Sequence, residues 1–187
     1  RQLLTCIERE VAPGPVTGGA QFRLPTLSAA QRKAAEEIRA VFADRATVLL
    51  RGVTGSGKTE IYMHFAAEVL ARGGQVLLLV PEIALTPQML RRFTAQFGSD
   101  VAMLHSALPL TERYDQWKRI RRGEVHVVLG TRSAVFAPLP DIGLIILDEE
   151  QETSYQSENP PRYHARDIAQ FRCAQNDALL LLSLIHI

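Results

Sequence analysis

A glycine-rich segment, residues 52–59, constrains the fold of this 187-residue chain more than any other feature. Its letters, GVTGSGKT, fit the spacing G-x-x-x-x-G-K-[ST], and they stand between the apolar run ATVLLR and a stretch with helical spacing. Glycines let such a loop wrap tightly, so that backbone N–H groups at the start of the following helix converge on one point. The pattern therefore predicts a strand–loop–helix unit that binds phosphate.

The rest of the chain alternates short, continuously apolar segments with longer segments of helical periodicity. The first helix is predicted to start at Ser28, where Ser28 and Gln31 fit a capping box. The predicted helices cover residues 28–42, 59–72, 87–97, 111–122 and 164–174, and the predicted strands cover residues 46–51, 75–81, 101–105, 125–130, 142–148 and 178–182. This alternation is typical of an α/β domain with a mostly parallel sheet and helices on both faces.

Composition argues against a zinc-binding motif and a membrane-spanning segment, and it gives no charge signal for nucleic-acid binding. Apolar residues make up 47% and charged residues 22%, as in ordinary globular domains, and the net charge of +1 does not by itself indicate nucleic-acid binding. Cys6 and Cys173 are too far apart to form a zinc motif, which favours a reducing cytoplasm. The longest apolar run is about half of the ~20 residues that a membrane span needs, so we expect no membrane association.

The glycine-rich segment also carries the chemistry of a nucleotide site. Lys58 is expected to place its charge on the β- and γ-phosphates of ATP, and the hydroxyl of Thr59 to complete the coordination of Mg²⁺. The other residues expected to surround the phosphates are Gly52, Thr54, Gly55, Ser56 and Gly57.

Carboxylates at the end of a later strand complete this site. The run LIILDEE places Asp148 and Glu149 where a buried strand of a parallel sheet ends, which is where ligands bind in such domains. Asp148 is predicted to hold Mg²⁺ and Glu149 to act as the base that orients water, whereas Glu150 has no assigned role. Gln31 leaves two alternatives open, the capping box alone or a contact with the adenine base.

Several longer segments resemble one family of DNA helicases. The segments GVTGSGKTE, VPEIALTPQML, LHSALP, GTRSAVFAP and LIILDEEQETSYQSENPPRYHARD are similar to the helicase motifs of the PriA-type replication-restart helicases of superfamily 2. The resemblance runs from about residue 27 to residue 182. It implies a RecA-like lobe, the first of two, in a monomeric cytoplasmic motor that uses ATP to move on forked or single-stranded DNA with other primosome proteins.

The resemblance also assigns residues to DNA contacts. It implies that Thr86 and Gln88, and further along the chain Thr131, Arg132 and Ser133, contact the DNA backbone. Hydroxyls, amides and helix starts are usual phosphate contacts. For Thr86 the residues alone leave N-capping as an equal alternative, because Pro87 follows it.

A loop after the carboxylates, residues 155–164, contains Tyr155, Tyr163 and Arg162. Aromatic rings stack on the bases of single-stranded DNA, and the family has an aromatic-rich loop at this place. The loop is therefore interpreted as an element that couples DNA contact to Glu149. The alternative is a surface loop with its aromatic rings tucked underneath.

Both ends of the chain depart from the family pattern. Residues 1–27 are expected to be a remnant of a DNA-binding region with a linker, and residues 28–182 the ATP-binding lobe. Residues 183–187, SLIHI, replace the Gly-Ser-Ala-Thr-Pro segment that the resemblance implies. They resemble the translated end of a transposon adapter, so we expect them not to be natural protein. The second lobe, with its zinc sites, is absent, and Gln151 stands where the better-known motif has His.

Two functions of other classes compete with a motor. A P-loop kinase for a small molecule would also contain the glycine-rich segment, but it has no use for DEE followed by an aromatic loop. A non-catalytic module that docks on forked DNA would hold nucleotide only as a structural element. Because a lobe without its partner is a half-site, the chain is expected to hydrolyse ATP weakly or not at all.

Overall fold

A six-stranded sheet forms the centre of residues 24–185, the part of the chain that the computed structural model describes. The strands are β1 (Thr47–Gly52), β2 (Gln75–Leu79), β3 (Val101–Leu104), β4 (Val127–Gly130), β5 (Ile142–Leu147) and β6 (Leu179–Ile185). The helices are α1 (Ala29–Phe42), α2 (Lys58–Ala71), α3 (Pro87–Phe97), α4 (Leu110–Arg121) and α5 (Ala165–Asn176). All neighbouring strands pair in parallel, in the order β1-β6-β5-β2-β4-β3, so the predicted α/β fold with a parallel sheet is confirmed.

The alternation of side chains along β2 explains why helices cover both faces. Val76 and Leu78 point into one apolar cluster, and Leu77 and Leu79 point into a second cluster on the other face. All four are completely buried. Side chains of α1, α2 and α3 fill the first cluster, and side chains of α4 and α5 contribute to the second. A strand buried on both faces has to be apolar at every position, which is what the run VLLL shows.

Local signals set the helix starts. The Ser28 side chain accepts a hydrogen bond from the Gln31 N–H, and the Gln31 side chain accepts one from the Ser28 N–H, so the predicted capping box is confirmed. Thr86 caps α3 by accepting a bond from the Met89 N–H at 3.2 Å. Residues 183–185 continue β6 beyond the predicted strand end at residue 182; their natural or non-natural origin remains a prediction.

The parallel arrangement brings the carboxyl ends of the strands to one edge of the sheet. The glycine-rich loop follows β1 there, Thr86 follows β2, Thr131 follows β4 and Asp148 follows β5. Segments that are up to about a hundred residues apart in sequence therefore meet along this edge. No helix within residues 24–185 is long and apolar enough to cross a membrane.

Candidate nucleotide and DNA site

The glycine-rich loop forms an open cradle at the start of α2. Gly55 and Gly57 have φ angles of +76° and +80°, which side chains rarely tolerate. A Cβ atom on Gly57 would lie 2.0 Å from the Gln31 amide nitrogen, so it would push this side chain off the loop. Because Gly57 is the N-cap of α2 and offers no side chain, the first N–H groups of this helix remain available to an anion. The cradle fits a polyphosphate.

Lys58 lies inside this loop. Its ammonium donates hydrogen bonds to the carbonyl oxygens of Gly52 at 2.9 Å and Val53 at 3.3 Å. The charge is close enough to Glu149 to favour the carboxylate form of that side chain. The strand end after β5 and the loop after β1 thus form one site. Thr54 and Ser56, the other polar residues of the loop, are exposed.

Asp148 is held through one carboxylate oxygen. Its Oδ1 accepts hydrogen bonds from the Tyr62 hydroxyl at 2.7 Å, the Ser183 hydroxyl at 2.6 Å and the Glu149 N–H at 3.1 Å. A carboxylate oriented in this way suits a hard cation such as Mg²⁺. Tyr62 was not among the site residues predicted from the sequence. The available signal was its position one helical turn after Thr59, because residues three apart share a helix face.

Glu149 occupies a strained position next to Asp148. Its φ angle is +51°, in the left-handed region that favours glycine, and such backbone strain in other residue types clusters at functional sites. Burial, followed by the nearby negative charges of Asp148 and Glu152, raises the pKa of Glu149 above its ordinary value. A raised pKa brings a carboxylate closer to the range in which a general base works best. Glu150, which had no assigned role, pairs with Arg166 of α5.

One cavity joins the predicted metal and DNA residues. It has a volume of about 260 Å³, and its walls include Thr59, Asp148, Thr86, Gln88 and Arg92. Thr86 and Gln88 are exposed, so they can reach a ligand. The N-cap role of Thr86 is confirmed, and its DNA contact stays a prediction.

Gln31 lies over the glycine-rich loop as well as in the capping box. Its amide nitrogen donates to the Gly57 carbonyl oxygen at 3.1 Å. The capping alternative is confirmed, and the side chain also fastens α1 to the loop. Its contact with adenine stays a prediction.

Two of the predicted DNA contacts need correction. Tyr155 is completely buried, and its hydroxyl donates to the backbone oxygens of Asp148 at 2.6 Å and Leu79 at 3.0 Å. Tyr155 therefore cannot stack on a base in this structure. The alternative stated above, a surface loop with its aromatic rings packed underneath, is correct for this residue. Thr131 is only 3% exposed and is likewise closed to DNA. Both side chains are buried below the loops that follow the carboxyl ends of the strands.

The other predicted contacts differ in accessibility. Ser133 is exposed. Arg132 is half-buried and donates to the backbone oxygens of Ser154 at 3.2 Å and Gln156 at 2.6 Å, so it braces the loop after Glu149. Tyr163 is half-buried and packs edge-to-face on Phe136, with ring centroids 5.0 Å apart. Ser133, Arg132 and Tyr163 keep their DNA roles as predictions.

The histidines have local roles. His126 Nδ1 lies 2.7 Å from an Asp100 carboxylate oxygen, and His164 Nδ1 accepts the Arg166 N–H at 3.1 Å. Among residues 24–185 there is no group of three or more His, Cys, Asp or Glu side chains that could hold a metal. A Mg²⁺ ion at this edge would therefore depend on Thr59, Asp148 and the phosphates themselves.

The parallel sheet, the cradle and the paired carboxylates define a P-loop lobe of the helicase type, and comparison with known proteins agrees. The profile of the DEAD/DEAH box helicases matches residues 28–183, and the chain belongs to that family. Residues of this chain are 50% identical over 154 positions to the replication restart protein PriA of Bacillus subtilis, and 52% identical over 148 positions to that of Treponema pallidum. The resemblance to PriA-type helicases is thereby confirmed.

These matches cover 81% and 79% of this chain, but only 19% and 22% of the two relatives. The chain thus spans about a fifth of the length of the curated relatives it matches. Among solved structures, RecG bound to a three-way DNA junction shares 25% identity with a TM-score of 0.61, covering 85% of this chain and 21% of RecG. The Hef helicase domain of Pyrococcus furiosus shares 26% identity with a TM-score of 0.57, covering 81% of this chain and 32% of Hef. The predicted RecA-like lobe is confirmed by these similarities.

Proposed function

We propose that residues 28–182 are the first, ATP-binding lobe of a DNA helicase that acts in replication restart. The observation that carries this proposal is the single cavity lined by Thr59, Asp148, Thr86 and Gln88. It joins a nucleotide site to side chains suited to the DNA backbone. A motor needs its nucleotide site next to its DNA contacts, because ATP hydrolysis has to change how tightly the lobe binds DNA.

The residues divide the chemistry among them. The loop N–H groups and Lys58 bind the phosphates, while Thr59 and Asp148 hold Mg²⁺. The bound Mg²⁺ neutralises charge on the phosphates. Glu149 accepts a proton from the attacking water, and its raised pKa suits this task. Tyr62 keeps Asp148 oriented through Oδ1.

The cellular setting rests on the relatives. Since the PriA proteins are named for replication restart, this lobe acts on forked or single-stranded DNA in the cytoplasm, as part of a monomer that meets other primosome proteins. Residues 1–27 are the end of a preceding DNA-binding region with its linker; residues 1–23 of that segment lie outside the described residues. Residues 183–187 are a non-natural tail, and Gly-Ser-Ala-Thr-Pro belongs in their place. Zinc, by the same resemblance, belongs to a second lobe and not to residues 28–182.

ATP hydrolysis by the 187-residue chain tests the catalytic assignment. Turnover by these 187 residues should be slow and should not rise with single-stranded DNA, because the proposed lobe supplies only one half of a two-lobe nucleotide site. Glu149→Gln should abolish the residual single-turnover hydrolysis while leaving ATP bound, whereas Glu150→Gln, the matched control, should keep it. Equal hydrolysis by the two variants would refute the role of Glu149. Strong stimulation of ATP hydrolysis by DNA would refute the claim that these residues form only half of the nucleotide site.

A further inference from the structure

A second concave surface lies at the same edge of the sheet, beyond the cavity described above. It is a groove of about 460 Å³ between α4 and the 3₁₀ helix Arg132–Phe136 that follows β4. We call it the aromatic groove and define it by six lining residues, Leu110, Tyr114, Trp117 and Phe136 with His105 and Arg113.

Three large apolar side chains of the aromatic groove, two of them aromatic, are unusually open to solvent. Leu110 is 71% exposed, Tyr114 59% and Phe136 54%, whereas most other large apolar side chains of the sheet and its helices are buried. Single exposed apolar residues are ordinary, but several that line one concave surface mark a binding site. The Phe136 ring packs edge-to-face on Tyr163, which supports its orientation toward the groove.

Positive charge surrounds these rings. The Lys118 ammonium lies 4.2 Å from the centroid of the Tyr114 ring, and the Arg121 guanidinium lies 5.5 Å from that of Trp117. Arg113 lines the groove itself.

Acidic residues offset only part of this charge. Asp115 pairs with Lys118 at 3.2 Å, and Glu112 is the other acid of the helix. Helix α4 still carries four cations against these two acids. The fitting ligand is thus flat and apolar on one side and negatively charged on the other.

The position of the groove narrows the choice of ligand. It lies at the ends of β3 and β4, and β4 is the direct neighbour of β2, from which Thr86 and Gln88 follow. Neighbouring strands are about 4.8 Å apart, so the groove begins roughly 5–10 Å further along the edge from the proposed DNA residues. The exposed residue Ser133 lines the groove as well.

We propose that the aromatic groove binds an unpaired base of single-stranded DNA, stacked on Phe136 and Tyr114, with Arg113 and Lys118 beside its phosphates. The proposal rests on the proposed function and extends its DNA track beyond Ser133 to the β3 edge of the sheet. Aromatic rings flanked by cations are the usual platform for single strands, and they tolerate any sequence because every base has a π-face. A duplex keeps its bases stacked inside and does not fit the groove in this way.

Trp117 makes the proposal directly measurable, because it is the only tryptophan of the chain. The 187-residue chain is titrated with single-stranded oligothymidylate at low salt, while tryptophan emission and the anisotropy of the labelled strand are recorded together. We expect emission to be quenched with the same midpoint as the anisotropy change. A duplex of equal length should leave the emission unchanged.

Variants locate the stacked base. Phe136→Ala should weaken the single-strand Kd at least about fivefold, the loss expected for one stacked base. Phe171→Ala is the matched control, because Phe171 is 60% exposed but lies outside the groove. Circular dichroism and a thermal melt establish that both variants are folded. Arg113→Ala should lower the slope of log Kd against log salt by about 0.7, as for one phosphate contact on a single strand.

The outcomes separate this proposal from the proposed function. If the strand binds by anisotropy but Trp117 emission does not change, or if Phe136→Ala binds as tightly as Phe171→Ala, the groove is not a DNA site and the DNA track ends at Ser133. If no strand binds while an ATP analogue still does, the groove proposal is overturned and the nucleotide site stands. If neither binds, the proposed function fails as well.

Discussion

Tyr62→Phe removes one hydroxyl at the centre of the proposed Mg²⁺ site without changing the shape of the core. Tyr62 is completely buried, and burial raises the pKa of its hydroxyl well above the ordinary value, so it stays a neutral donor. It donates to Asp148 Oδ1 at 2.7 Å. A hydrogen bond to a charged group contributes about 1.5–3 kcal/mol. Since Ser183 and the Glu149 N–H still donate to the same oxygen, we expect the lower end, about 1.5 kcal/mol.

Urea denaturation at neutral pH measures this loss. With a slope of about 1–3 kcal/mol/M, the midpoint should fall by roughly 0.5–1.5 M while the slope stays the same. Tyr114→Phe is the control, because Tyr114 is 59% exposed, and its midpoint should hardly move. The reasoning is refuted if both variants unfold at the same urea concentration. A positioning role also predicts that Tyr62→Phe needs more Mg²⁺ for half-maximal binding of ATP, which a purely structural role would not require.

Three further predictions concern single positions. Gly130→Ala should lose more than about 2 kcal/mol in a thermal melt, because its Cβ would lie 2.2 Å from Ala134 Cβ and 2.5 Å from the Leu104 oxygen. Gly73→Ala has open space around its Cβ and meets only the cost of a side chain at a φ of +83°, about 1–2 kcal/mol, so it should lose less. Equal losses would count against this packing. Glu149→Gln should be more stable than the unmodified chain at pH 7, because the raised pKa penalises the folded carboxylate; the difference should vanish as the pH falls below about 4, and a constant difference would disprove the shift. Burial raises the pKa of Cys173 to about 12, so iodoacetamide should label it at pH 8 only as fast as the chain unfolds. Peptide mapping separates Cys173 from Cys6, and rapid labelling of Cys173 itself in the native chain would contradict its burial.

The features predicted correctly from the sequence depend on local patterns. The capping box of Ser28 and Gln31, the N-cap at Thr86 and the glycine turn of residues 52–59 each span a few residues, so their backbone conformation is set within that span. The apolar strands were also recognisable, because a strand buried on both faces leaves no polar positions. Helix and strand ends moved by only a few residues.

The wrong predictions, and the contacts that were not predicted, concern side chains whose surroundings come from distant segments. Tyr155 occurs in a polar, proline-containing loop, yet its ring fills the core and its hydroxyl reaches Leu79 on another strand. Arg132 keeps its predicted DNA role, yet it also donates to two backbone oxygens of a later loop, a contact that the sequence did not predict. The bond between Tyr62 and Asp148 joins residues 86 positions apart. Residue type indicates which groups a side chain can bind, whereas the fold determines which of those groups it contacts.

Binding of a fluorescent ATP analogue to the 187-residue chain, with Mg²⁺ present, tests the central claim most directly. Lys58→Ala is compared with Lys33→Ala, whose side chain is 78% exposed on α1 in an ion pair with Glu37. We predict that the unmodified chain and Lys33→Ala bind the analogue alike and that Lys58→Ala loses binding while remaining folded. Equal binding by the two lysine variants would contradict the claim that the loop after β1 holds the phosphates.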